Sequence, residues 1–137
     1  MYGIVYGDFL AHLIGRTGEL LRARTESYAA GVDVSNRKDG TGRRAVVLTT
    51  GPGGGTGNTL RTSYVTVDVV TDDEGDTVDL INLVLALLTS RGPGGMVGSG
   101  PITNTEVNGG PNADPSPADG FFKQTAQLEV QHRGRSL

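Results

Sequence analysis

"RTSYVTVDVVTDDEGDTVDLINLVLALL", residues 61–88, changes its hydrophobic period halfway along. In the first part Val65, Val67 and Val69 alternate with Tyr64, Thr66 and Asp68, the period of two expected of a half-buried strand. In the second part Val78, Leu80, Ile81, Leu83, Val84, Leu85, Leu87 and Leu88 recur over more than one face of a helix, which Asp73 or Glu74 opens and Gly92 closes. A helix this apolar is buried on most sides, and in a small domain another chain can supply part of that cover. A half-buried strand running into such a helix predicts a sheet with the helix across one face.

The neighbouring segments extend the sheet. "AGVDVSNR" (30–37) alternates Val32 and Val34 with Asp33 and Ser35 and predicts a short strand; "RRAVVLTT" (43–50) predicts another. Between the latter and residue 61 lies "GPGGGTGN" (51–58). It has the glycine content of a phosphate cradle but lacks the lysine of a P-loop, and Thr56 stands where a dinucleotide loop needs its third glycine. With a strand on either side, it reads as a long hairpin connection.

Near the N-terminus, Asp8 caps an expected helix to about Arg24, weakened by Gly15 and Gly18. Downstream, "PITNTEV" (101–107) is a strand, 108–120 a proline-rich exposed loop, and "FFKQTAQLEVQ" (121–131) the last strand. In that strand Phe122, Ala126, Leu128 and Val130 are expected to face inward; "HRGRSL" (132–137) reads as a polar tail. The expectation is one α+β domain over residues 1–137: a twisted mixed sheet of four to five strands, one long helix packed on it, and an N-terminal helix.

Composition narrows the function. With 137 residues the chain can bury one small core, and without cysteine it has no disulfide and no thiolate metal site. Its net charge of −3 is the opposite of a nucleic-acid footprint. No stretch is apolar enough to span a membrane, and "MYGIVYGDFLAHLIG" has no basic region or cleavage site of a secretory leader. His12 and His132 are far apart in sequence and make a poor metal pair; His12 reads as a helix-surface residue. The acids of 72–76 sit in a turn before a helix, where carboxylates favour the helix dipole, rather than in the apolar pocket that a catalytic pair needs. No catalytic, cofactor or metal residues are therefore expected.

The order of these segments resembles tail terminator proteins of long-tailed, non-contractile phages. The resemblance is carried by the leading helix, by "AGVDVSNRKDGTGRRAVVLTTGPGGG" (30–55), by "YVTVDVVTDDEGDTVDLINLVLALL" (64–88), and by "EVNGGPNADPSPADGFFKQTAQLEVQHRG" (106–134). It implies a virion protein made in the host cytoplasm. Such a protein forms a homomeric ring, typically a hexamer, that caps the tail tube, ends its polymerisation and meets the head connector. DNA passes through the ring without sequence readout. Head-completion and tail-completion factors share this outline and are the first alternative; a small ligand- or peptide-binding module is the second. Loops 36–44, 51–61 and 92–101 are then expected to be contact elements ordered by neighbours, with Arg37, Arg43, Arg44 and Arg61 as interface candidates. Asp68, Asp72, Asp73, Glu74 and Asp76 are candidates for an acidic wall facing the DNA.

Overall fold

The computed structural model describes residues 3–37, 44–51, 55–56, 60–114 and 120–136. In chain order the elements are β1 (Ile4–Val5), α1 (Phe9–Arg22), β2 (Asp33–Ser35), β3 (Ala45–Thr50), β4 (Gly55–Thr56) and β5 (Leu60–Thr71). There follow α2 (Glu74–Leu88), β6 (Ile102–Ala113), β7 (Phe122–Arg133) and β8 (Arg135–Ser136). The main sheet runs β2-β3-β5-β7-β6, with β4 paired onto β5; β1 and β8 form a separate ribbon. β2 and β3 are parallel and the remaining pairs antiparallel, so the domain is α+β with a mixed sheet, as expected.

Alternation decides which face is covered. Val65, Val67 and Val69 on β5 lie beside Val46 and Leu48 on β3 and Ala126, Leu128 and Val130 on β7, and all join one core. α2 lies over β5 and β7, while α1 lies over β2 and β3 and touches α2, so both helices sit on this one face. Leu80, Ile81, Val84 and Leu88 are fully buried, while Leu83 and Leu87 are partly buried and Val78 is 40% exposed. Its start is fixed locally: the Asp73 carboxylate accepts from the Asp76 N–H at 3.0 Å, and Thr71 and Thr77 share a hydroxyl contact at 2.6 Å. Asp8 caps α1 through the Ala11 N–H. Gly15 and Gly18 do not break α1, because its buried face, including Leu13, Thr17 and Leu21, supplies the stability that propensity lacks.

Three expectations at the C-terminal end are corrected. The proposed loop at 108–120 is strand as far as Ala113, because β7 offers β6 a partner along its length; register shifts at 102/104, 107/109 and 109/112 absorb the irregular sequence. Residues 115–119 lie outside the described residues. Phe122 is not core: it pairs with Thr71 at the extreme end of the sheet and stays 38% exposed. Residues 132–136 are not a polar tail: His132 is buried, and Arg135–Ser136 pair with Ile4–Val5. Gly134 makes that ribbon fit, since a Cβ there would stand 2.4 Å from Ile4 Cγ2 and 2.8 Å from the Val5 carbonyl.

The glycine-rich segment at 51–58 does join two antiparallel neighbours, β3 and β5, and Gly55–Thr56 fold back against Thr62 and Arg61. Residues 52–54 and 57–59 lie outside the described residues.

Candidate functional site

The two ends of β5 carry different chemistry. At its Leu60 end the chain termini meet. The His132 ring stacks on Phe9 with centroids 4.0 Å apart and meets Tyr6 edge-on at 5.7 Å. Its Nε2 lies 2.9 Å from Ser63 Oγ, and Arg61 stands 4.0 Å above the Tyr6 ring. His132 continues the alternation of Ala126, Leu128 and Val130 by one more step, a signal present in the sequence that its polar neighbours masked.

His132 Nδ1 is buried and has no hydrogen-bond partner among the described residues. A protonated imidazole would carry two donors here with one acceptor in reach, so burial pushes its pKa down from 6.5, with the Arg61 charge acting in the same direction. The unfolded chain therefore binds the proton more readily than the folded one. The stability that depends on neutral His132 is complete above about pH 6.5 and is lost as pH falls from there towards the lower folded value. Urea midpoints measured from pH 7.5 to 5 should fall with acidification, and His132→Gln should flatten that slope. An unchanged slope in the variant would assign the effect to other groups.

At the Thr71 end lie the acids. Asp72, Asp73 and Glu74 are exposed in the capping turn of α2. Asp76 is drawn into a bracket: Arg44 Nη2 contacts its carboxylate at 3.3 Å, while Nη1 donates to the carbonyls of Ser27 and Ala30 at 3.1 and 2.9 Å. Arg44 thus ties the short turn at Ser27–Ala29 to α2. Asp68, expected on an open acidic wall, is instead buried. It is only 5% exposed, accepts from Thr125 Oγ1 at 2.7 Å, and has Lys123 Nζ at 3.9 Å, so its carboxylate is spent inside the protomer.

The three of these arginines that lie among the described residues do not form one patch. Arg61 lies at the opposite end of β5 from Arg44, Arg37 is exposed just beyond β2, and Arg43 lies outside the described residues.

Loop 92–101 is held by contacts within its own chain. Met96 is fully buried, its N–H donates to Ser90 Oγ, and the Val97 N–H donates to the Ser90 carbonyl. α1 holds the loop from the other side: His12 Nε2 lies 2.9 Å from Ser99 Oγ, and Arg16 donates to the Gly94 carbonyl. His12 is therefore a tie between elements and not a bare helix-surface residue. Arg16 and the loop glycines line an open cleft of about 530 Å³.

The helix-free face of the sheet is polar. Along β5, β7 and β6 it presents Thr62, Tyr64, Thr66, Thr125, Gln127, Glu129, Gln131, Asn104, Glu106 and Asn108. On this face of the three strands Lys123 stands at one end and Arg133 at the other with no strand Lys or Arg between them, and Arg91 reaches the face from beyond α2 to donate to Asn104 Oδ1 at 2.7 Å. Lys123 is matched by Asp68 and by Asp114, the latter at 3.7 Å.

No group of three metal-ligating side chains occurs among the described residues. Nor is any helix of the described residues long and apolar enough to cross a membrane. Neither models of known protein families nor curated proteins match the chain.

Proposed function

We propose that this chain is a tail terminator of a long-tailed, non-contractile phage: a virion protein that closes into a homomeric ring on the tail tube. The ring ends tube growth, meets the head connector and lets DNA through. The reading rests on the resemblance of segment order, and the helix-free sheet face is the observation that favours it most. A wall of threonine, glutamine, asparagine and glutamate does not hold phosphates as a basic surface would, and a DNA conduit needs such a wall. Asp68 is not part of its charge, because Lys123 and Thr125 occupy it. A polar face of this kind suits passage better than capture of a small molecule.

A terminator must fit the tube's growing edge on one side and present a different surface on the other. Removing this chain from an otherwise complete phage should leave tails of irregular or excessive length, unjoined to filled heads. Tails of normal length beside detached heads would reassign the chain to a neighbouring neck position. Normal, joined particles would end the proposal.

A further inference from the structure

The chain ends are held thinly. Outside the main sheet they pair as two residues against two, Ile4–Val5 with Arg135–Ser136, and all four are exposed. Tyr6 follows β1 directly, and its ring meets His132, which stacks on Phe9 and contacts Ser63. Four buried side-chain nitrogen and oxygen atoms have no hydrogen-bond partner among the described residues, and two of them, Tyr6 Oη and His132 Nδ1, fall in this one cluster. Closing the cluster takes both groups out of water without return, and opening it gives both back. The groups that face the imidazole are Tyr6, Phe9 from α1, Ser63 and Arg61 from β5, and Ile102 from β6. Arg61 stands directly opposite His132 in the register, with its guanidinium over the Tyr6 ring, and is the charged member of this set. The Asp8 carboxylate, one residue from Phe9, accepts from the Ala11 N–H instead, and Arg133 and Arg135 are exposed beyond the ring. A second proton on the imidazole would thus sit buried near a cation, with no acceptor for the new N–H.

We propose that His132 is an acid-released latch for the chain ends: when its ring is protonated, the β1–β8 ribbon and Tyr6 come away from the sheet while the core beneath α2 stays folded. The opening is local because the rest of the domain does not depend on the ribbon. α1 stays anchored by Leu13 and Leu21, and Val65, Val67, Leu80 and Val84 are fully buried elsewhere in the core. The step needs no covalent change: a proton binds Nδ1, and water then solvates the imidazolium and the Tyr6 hydroxyl. Acid loss of overall stability would follow from any group that protonates on unfolding; the latch further requires that this end open first. The inference is independent of the ring reading, since it uses contacts within one copy.

The test is amide exchange followed by NMR between pH 7.5 and 5, with each rate corrected for its intrinsic pH dependence. Protection at residues 4–6 and 132–136, including the Arg133 N–H that donates to the Pro101 carbonyl, should fall on acidification, while residues 65–69 and 80–88 keep theirs. Because the opened ring titrates near pH 6.5, the fall cannot exceed about thirtyfold, and at least about threefold is expected. His132→Gln keeps a polar group near Ser63 but cannot take the proton, and should abolish the response. If that variant does not fold, Arg61→Gln reads the same point: without the neighbouring cation the folded ring protonates more easily, so the response should shrink. His12→Gln, which alters the separate contact with Ser99, should leave it in place. Equal losses of protection at the ends and in the core, no response at the ends, or a response that survives the His132 or Arg61 substitution or vanishes with His12→Gln would each overturn the latch.

Discussion

Leu80→Ala is expected to destabilise the fold by about 2–5 kcal/mol, the range for truncating a fully buried leucine. Leu80 is 0% exposed and lies on α2, the helix that covers β5 and β7. Its neighbours Ile81 and Val84 are also fully buried, so the loss would leave a cavity that backbone movement cannot close without disturbing two elements. Against a total stability of about 5–15 kcal/mol for a domain of this kind, that is a large share. Val78, on the same helix but 40% exposed, is the control: Val78→Ala should cost less than about 1 kcal/mol. Urea unfolding of both variants, with the slope held constant, checks the pair. Equal losses would mean that α2 is packed differently from the arrangement described.

Gly110→Ala is the second large effect. Gly110 has φ +80°, where a side chain is strained, and an added Cβ would lie 2.7 Å from the Thr125 carbonyl oxygen and 3.0 Å from Ala126 Cα. Both obstacles are backbone atoms of β7, so no rotamer change relieves them. The conformational penalty alone is about 1–2 kcal/mol, and the clash adds to it by forcing β6 away from its partner. Gly109 is the matched control, because a Cβ there meets only Gln127 Cβ, at 3.9 Å, an ordinary contact. Gly110→Ala should lower the thermal midpoint by several degrees more than Gly109→Ala and should loosen amide protection along residues 107–113 first. Equal midpoints would remove the case for a required glycine at 110.

The features read correctly from sequence are those whose cause is local. The change from period two to a helical period within residues 61–88 reflects which side chains share a face, and that holds wherever the segment is placed. The two N-caps are equally local, because Asp8 and Asp73 reach N–H groups three residues away. From these alone come the α+β class, the inward face of β5 and the start of α2.

What only the tertiary structure decided depends on the strand or helix that arrives from far along the chain. β6 continues through Gly109, Gly110 and Pro111 because β7 supplies hydrogen-bond partners that the segment's own composition does not predict. His132 and Phe122 lie on the same side of one strand, ten residues apart; α1 covers the first with Phe9, while nothing among the described residues covers the second to the same extent. Asp68 and Arg44 looked like free surface charges, yet β7 brings Thr125 and Lys123 to the one, and α2 brings Asp76 to the other. A residue's type and spacing set which way it points, but its exposure is set by what packs there, and that is a property of long-range register.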